Sequence, residues 1–241
     1  MQFIEGKVAL VTGGSKGIGF GIAEALLWQG IDVAITSRTK NTAVEAAKKL
    51  NKLCKGKAKA IGLQADVKNY KQQEKVVAQV LEKFEKLDIL VANAGLGHFA
   101  PVDQLTIEQW QETIDTNLTG VFYSVKAAVE ALKKSKGYII TISSLAGTNF
   151  FENGAAYNAS KFGVTGFSQA IMLDLRKYEV KVTTIMPGSV ATYFNNHTPD
   201  GNDDWKIQKE DLGSMVVDLL RMHPRTLPSK IEVRPSLPPS K

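Results

Sequence analysis

Two side chains four residues apart can move a proton. In the stretch Ser143 to Lys161, SSLAGTNFFENGAAYNASK, Tyr157 and Lys161 stand at i and i+4 of a helical pattern. That spacing puts them on one face, about 5 to 6 Å apart at Cβ. An isolated phenol, with a pKa of about 10, is a sluggish acid or base near neutral pH. A neighbouring ammonium lowers that value. The pair is then expected to donate a proton to a carbonyl oxygen as hydride reaches its carbon, or to take one from an alcohol in reverse. Ser144 stands where its hydroxyl can hold the same oxygen. A Tyr-x-x-x-Lys also arises by chance in a Lys-rich chain with six tyrosines, so its weight comes from what accompanies it.

The apolar run Tyr138 to Ile142 reads as a buried parallel strand, and small and apolar residues recur at helical spacing from Ala155 to Leu175. Strand, loop and helix thus frame the pair. Near the start of the chain, Lys7 to Val11 is another short strand. It runs straight into Thr12-Gly13-Gly14-Ser15-Lys16-Gly17-Ile18-Gly19 and a helical pattern that continues to Gln29 and stops at Gly30. Backbone amides of such a loop and helix start form a site for phosphate, and glycines let a pyrophosphate come close. The alternative is a tight turn with glycines for steric reasons only.

Ile31 to Thr36 is the second strand, followed by Thr36-Ser37-Arg38-Thr39 where an NAD-binding unit usually carries a carboxylate for the ribose. Arg38 and Lys16 either meet a 2′-phosphate or are surface cations. A helix spans Asn41 to Leu53, with Cys54 as a packing residue. Lys57 to Leu63 is the third strand, and Asp66 and Val67 lie at its C-terminal end. Asp66 either receives an adenine amino group or caps the helix Tyr70 to Phe84. Asp88 to Val91 is the fourth strand. The small residues of Ala92-Asn93-Ala94-Gly95 after it either admit a cofactor closely or only turn the chain.

Thr106 to Leu132 is a long helical pattern interrupted by Asn117 and Gly120. A mid-helix amide is unfavourable by propensity, so Asn117 is either exposed and neutral or buried with a purpose. Val180 to Met186 is the sixth strand, and Pro187-Gly188-Ser189-Val190-Ala191-Thr192 turns over the same sheet edge. Tyr193 to Trp205 is polar and loop-like, the centre of a lid at about 190–208 with too few apolar residues to be ordered by packing alone. A helix from Glu210 to Met222, a strand from Lys230 to Arg234 and a loosely held tail PSLPPSK complete the chain.

The strand and helix alternation implies one α/β domain, a parallel sheet with helices on both faces and its site at the strands' C-terminal ends. At 241 residues and 44% hydrophobic, the chain can bury one such core. The absence of an apolar run of about 18 residues argues for a cytoplasmic protein without a membrane partner. One cysteine and three scattered histidines, His98, His197 and His223, point away from a disulfide and a metal. The net charge of +6 is spread over the helices, which argues against a nucleic-acid partner and leaves some charge to attract an anionic cofactor or substrate.

With these motifs in order, the chain resembles the short-chain dehydrogenase/reductase family over nearly its whole length. Thr12 to Gly19 matches the family's TGxxxGxG loop, Asn93-Ala94-Gly95 its NAG motif, and Asn117, Ser144, Tyr157 and Lys161 its catalytic residues. The resemblance implies a single-domain Rossmann fold with a seven-stranded parallel sheet in order 3-2-1-4-5-6-7. Tyr157 would be the acid/base, and Lys161 would lower its pKa and hold the nicotinamide ribose. Ser144 would position the substrate oxygen. Asn117, at a helix kink, would use a freed carbonyl to hold a water of a proton relay. The dinucleotide would lie along Gly13, Ser15, Lys16, Gly17, Ile18 and Gly19, with Ser37 and Arg38 at its ribose. Asp66 and Val67 would meet its adenine. Asn93, Ala94, Gly95, Pro187, Gly188, Val190 and Thr192 would complete the site, with Thr192 on the carboxamide.

The cofactor expected is NADP(H), with NAD(H) possible, and the substrate a small carbonyl compound or secondary alcohol. The alternatives are a 3-oxoacyl thioester reductase working on a carrier protein and a dinucleotide sensor without chemistry. Lys133, Lys134, Lys136, Arg176 and Lys177 are the cations that a carrier protein would need, or are ordinary complements of helix ends. The short segment after Thr192 implies an open pocket, with Leu145, Phe150, Phe151, His98, Phe99 and Tyr193 as wall candidates and the two Phe equally candidates for the core. The resemblance implies that the two long helices, about 106 to 132 and 155 to 176, pair with a neighbour's in a homotetramer or dimer.

Overall fold

Seven strands pair in parallel in the order β3-β2-β1-β4-β5-β6-β7 in the computed structural model, which describes residues 3–56 and 58–238. The strands are β1 (Val8–Val11), β2 (Asp32–Ser37), β3 (Ala60–Gln64), β4 (Ile89–Ala92), β5 (Tyr138–Ile142), β6 (Lys181–Pro187) and β7 (Lys230–Val233). Between them run α1 (Gly17–Trp28), α2 (Lys40–Cys54), α3 (Tyr70–Phe84), α4 (Ile107–Ile114), α5 (Gly120–Ser135), α6 (Ala155–Leu175) and α7 (Lys209–Arg221). This is a Rossmann-like single domain.

The pleat sorts the core into two layers. Ala9, Val11, Val33, Ile35, Val91, Ile140 and Ile142 pack under α1, α2 and α7 against residues such as Ile22, Leu26, Leu50 and Val216. Their neighbours in sequence, Val8, Leu10, Ala34, Leu90 and Ile139, face the other way, toward Val76, Val80, Val125, Leu132 and Leu175 of α3, α5 and α6. Strands covered on both sides read as unbroken apolar runs, which is why they were visible in the sequence.

The expected third strand began at Lys57, which lies outside the described residues, as does the end of the tail, residues 239–241. Pairing starts at Ala60, whose N–H and C=O are both taken by the Asn51 side chain, at 2.8 and 2.9 Å. The helical pattern from Thr106 to Leu132, interrupted at Asn117 and Gly120, is two helices joined by a π-helical turn, Asp115–Thr119. Asp66 does not cap α3: Asn69 does, accepting from Gln72 N at 3.1 Å. Cys54 is buried in the layer under α1 and α2, and burial pushes its thiol up to about 11, as a packing residue should behave.

Layer contact is tightest where β3 meets α2. A Cβ on Gly62 would stand 2.1 Å from Ala43 O and 2.3 Å from Ala43 C, both rigid backbone atoms. Gly62→Ala is therefore expected to destabilise the fold by about 1–3 kcal/mol, the usual range for overpacking. A lower urea midpoint at constant m-value would show it; an unchanged midpoint would mean that α2 moves aside freely.

Candidate active site

The strand order reverses between β1 and β4, and the loops after these two strands diverge to open a crevice. Thr12 and Asn93 hold its two lips together. Asn93 N and Ala94 N donate to Thr12 Oγ1 at 3.0 and 3.2 Å, and Asn93 Nδ2 donates to Thr12 O and Gly13 O at 2.9 and 3.2 Å. The Asn93-Ala94-Gly95 motif thus braces the glycine loop instead of merely turning the chain. Gly19 is required by this contact, because a Cβ there would sit 2.5 Å from Asn93 Nδ2. Gly13, at φ +63, would place its Cβ 2.9 Å from Ala94 Cα.

A cleft of about 800 Å³ follows from these loops along the C-terminal edge of the sheet. Gly13, Ser15, Lys16, Gly17 and Ile18 line it beside the start of α1, whose cap residue Lys16 makes no side-chain capping bond. Thr39, Asn69 and Thr106 do cap α2, α3 and α4. The first amides of α1 therefore face the cleft without a side-chain partner. Ser37, Arg38, Asp66, Val67, Ala94 and Gly95 border the next stretch, and Pro187, Gly188, Val190 and Thr192 also line the cleft. Asp66 accepts from Lys68 N at 2.9 Å.

Ser144, Tyr157 and Lys161 meet at the floor of the same cleft. Ser144 Oγ accepts from Ala146 N at 3.1 Å and donates weakly to Pro187 O at 3.4 Å. Lys161 is buried with 5% exposure; its Nζ donates to Ile142 O at 3.0 Å and lies 5.6 Å from the centre of the Tyr157 ring. The electrostatics differ from the expectation that the ammonium dominates. Burial raises the Tyr157 phenol above its ordinary value, and the adjacent Ser144 hydroxyl offsets only part of this. Burial also pulls Lys161 down to about 8. Both groups are pushed toward their neutral forms because the cleft floor solvates charge poorly.

Asn117 is fully buried in the π-helical turn and does not line the cleft. Its Oδ1 accepts from Leu96 N at 2.8 Å, and its Nδ2 donates to Leu96 O at 2.8 Å and to Ser160 Oγ at 3.0 Å. A Cβ on Gly95 would lie 3.2 Å from Asn117 Oδ1 and 3.6 Å from Lys161 Nζ, so the amide sits just behind the lysine.

Some residues of the cleft escaped the sequence reading. Glu112 reaches it from α4, one helical turn before Thr116. Its carboxyl is held below the usual range mainly by the bond from His98 Nε2 at 2.9 Å, with help from the charges of Lys68, His98 and Arg38. A carboxylate does therefore stand near Arg38, although none follows β2. The shared face of Glu112 and Thr116 at i and i+4 was the available signal. His197 and Lys206 also border the cleft, and both pair with the buried carboxylate of Asp203. Among the described residues no cluster of three or more His, Cys, Asp or Glu is arranged to hold a metal ion, and no helix is long and apolar enough to cross a membrane.

Residues 7–203 match the family model described as short chain dehydrogenase. This chain belongs to the short-chain dehydrogenase family. The dehydrogenase is 38% identical over 189 residues to trans-4-hydroxycyclohexanecarboxylate dehydrogenase from Sinomonas cyclohexanicum, covering 77% of this chain and 73% of that one. It is 37% identical over 193 residues to 3-oxoacyl-[acyl-carrier-protein] reductase from Synechocystis sp., covering 80% and 77%. An alcohol dehydrogenase from Thermococcus sibiricus, solved with 5-hydroxy-NADP, superimposes with a TM-score of 0.90 at 27% identity, covering 98% of this chain and 99% of that one. The dehydrogenase is thus an oxidoreductase of a family that acts on alcohols and carbonyls.

A pH profile reads the cleft floor directly. For carbonyl reduction, kcat/KM should hold below about pH 8 and fall as the pH rises through that value, because Lys161 is charged below it and neutral above. The raised phenol stays protonated over the same interval. A profile that is flat to about pH 10, the ordinary phenol value, would show that the charge on Lys161 does not matter.

Proposed function

We propose that this dehydrogenase moves a hydride between NADP(H) and a small carbonyl compound or secondary alcohol, with Tyr157 as its acid–base group. The observation that supports this best is the convergence of the Ser144 and Tyr157 hydroxyls and the buried Lys161 ammonium on one cleft with an uncapped helix start. The residues fit a dinucleotide: positive-φ glycines Gly13 and Gly17 where a side chain is not tolerated, and free amides for a pyrophosphate. Ser15, Lys16, Gly17 and Ile18 would hold the phosphates, Asp66 and Val67 the adenine, and Thr192 with Pro187, Gly188 and Val190 the nicotinamide end. When bound, the dinucleotide supplies or accepts the hydride.

The chain's own residues supply the proton and the orientation. In reduction, the Tyr157 hydroxyl gives its proton to the carbonyl oxygen while Ser144 holds that oxygen, so C=O becomes CH–OH. Lys161 steadies the phenolate that forms, and Asn117, set by its three side-chain bonds, presents the π-helical backbone behind Lys161 for a water-borne proton return. The strap at about 190–208 acts as a lid, mobile without ligand, and Asp203 pairs with His197 and Lys206 within it. Exposed Phe122 on α5 and Phe162 and Leu173 on α6 are the faces that would pair in a dimer or tetramer.

The carrier-protein alternative loses its cations. Lys133, Lys134, Lys136, Arg176 and Lys177 lie just before the starts of β5 and β6, at the sheet edge opposite the cleft. Lys136 pairs with Glu179 there, and Lys133 with Glu130. What favours a thioester is the likeness to ketoacyl reductases, the Synechocystis relative among them.

Tyr157→Phe removes the proton donor and keeps the ring, so turnover should fall by about 10² to 10⁴ with dinucleotide affinity nearly unchanged. Turnover like wild type would sink the assignment. NADPH should lead NADH in kcat/KM by roughly tenfold, since one charged hydrogen bond from Arg38 is worth about 1.5–3 kcal/mol. Glu112 opposes this, so the lead should shrink in Arg38→Ala and widen in Glu112→Gln, with little change for NADH. Equal use of both cofactors by wild type would make Arg38 an ordinary surface cation.

A further inference from the structure

Three phenylalanine rings cluster beside the one reactive phenol, and Phe194 among them lines the cleft with Tyr157. The Tyr157 ring lies 5.4 Å from Phe99 and 5.6 Å from Phe194, and those two rings lie 6.2 Å from each other. Phe151 adds a fourth ring 5.8 Å from Phe99. The rings meet at tilts of 47° to 65°, the edge-to-face range that the ring quadrupole favours. Three distant segments contribute: the loop after β4, the loop before α6 and the strap after β6. They converge because Gly97 lets them, since a Cβ there would stand 2.7 Å from both Phe99 Cζ and Phe194 Cζ.

These rings are not core. Phe99 and Phe194 are each 37% exposed and Phe151 49%. Phe150, in contrast, is 83% exposed and stacks on Phe162 of α6, so the adjacent phenylalanines have different partners. Solvent-facing rings beside a reactive hydroxyl form an adhesive wall for another ring, and they offer nothing to a phosphate or a free carboxylate. The Phe194 N–H donates to Thr192 Oγ1 at 3.3 Å, and the strap beyond it pairs internally through Asp203.

We infer that the substrate carries a planar apolar ring on, or one atom from, its carbonyl carbon, with Phe99 and Phe194 as the residues that select it. This rests on the reductase reading above and narrows it from any carbonyl to aryl and ring-conjugated ones. The geometry sets the distance: the carbonyl oxygen must reach the Ser144 and Tyr157 hydroxyls while its substituent meets rings whose centres are within 5.4 to 5.6 Å of the phenol ring. A long flexible thioester would bring little to these ring faces.

The test uses the purified full chain with NADPH and compares kcat/KM for acetophenone, 2-octanone and acetoacetyl thioester. Acetophenone should lead 2-octanone by about tenfold or more, and Phe99→Leu and Phe194→Leu should each reduce that ratio by roughly threefold to tenfold, with dinucleotide affinity showing that the variants are folded. Saturation-transfer NMR on the wild type needs no variant: the ring protons of acetophenone should be saturated ahead of its methyl protons. Equal or better turnover of 2-octanone or the thioester, or ratios unmoved in both variants, would overturn the inference and leave the reductase reading standing. If the chain binds dinucleotide and turns over no carbonyl at all, both fall.

Discussion

A buried ammonium governs this structure. Lys161 keeps its charge at the cleft floor with Ile142 O as its hydrogen-bond partner among the described residues. The fall of its pKa from 10.5 to about 8 corresponds to a penalty on the order of 3 kcal/mol. The unfolded chain holds this proton up to the ordinary lysine value, and the folded one only to about 8. The charge therefore opposes folding at neutral pH, and the opposition fades as the pH climbs from about 8 to 10.5. Something must hold the lysine where it does not prefer to be. Ser143 Oγ and Thr165 Oγ1 both donate to Lys161 O, at 3.0 and 2.9 Å, and Thr141 meets Ser168 at 2.8 Å. These hydroxyls fix α6 on β5 and β6 so closely that a Cβ on Gly147 would lie 2.7 Å from Lys161 O. The small residues of α6 are thus the counterpart of the charge they surround.

The same economy of space runs through the crevice. Thr12 receives two N–H donors from the β4 loop, and Asn93 returns two bonds to the glycine loop, so the two loops flanking the reversal of strand order form one rigid piece. Asn117 does the equivalent one step further on, holding both backbone groups of Leu96 and the hydroxyl of Ser160. The loop after β4 is then fixed at both ends, and Gly97 and Phe99 are carried to Tyr157 by that loop. Geometry at the phenol is inherited from hydrogen bonds several residues away.

Periodicity and punctuation revealed most of the scaffold. Strands buried on both faces are apolar runs, and α3 and α6 have the ends that the sequence pattern suggested. The glycine loop and Tyr157 with Lys161 were visible because each is local in sequence. What escaped depends on the third dimension. The sequence marks an interruption at Asn117 and Gly120, where the π-helical turn falls, but nothing local gives the turn its type. Glu112 faces the cleft only because α4 is docked above it. The influence of Lys161 on Tyr157 was argued from proximity, whereas burial, which has no sequence signature at a Tyr on a mixed helix, prevails for both groups. Phe150 and Phe151 are adjacent in sequence and have different partners, a division set by the turn between β5 and α6.

Charge in the cleft follows local pairing rather than the net value of +6. The strap's basic side chains are engaged within it: Asp203, 4% exposed, takes both His197 and Lys206, and its carboxyl is drawn down to about 2 chiefly by the Lys206 and His197 bonds. Two basic residues bordering the cleft therefore contribute little field to it. Lys16, Arg38 and Lys68 have no ion pair among the described residues, and all three border the glycine-loop half of the cleft. Glu112 and Asp66 are the carboxylates that border the cleft with them, and His98 already engages one oxygen of Glu112. The cleft thus carries cations without ion pairs beside the glycine loop and, at Tyr157, aromatic rings over the buried Lys161 ammonium. A ligand with a phosphate-rich end and a reaction partner with an apolar end would each find only one half congenial, so their order along the cleft is set before either arrives.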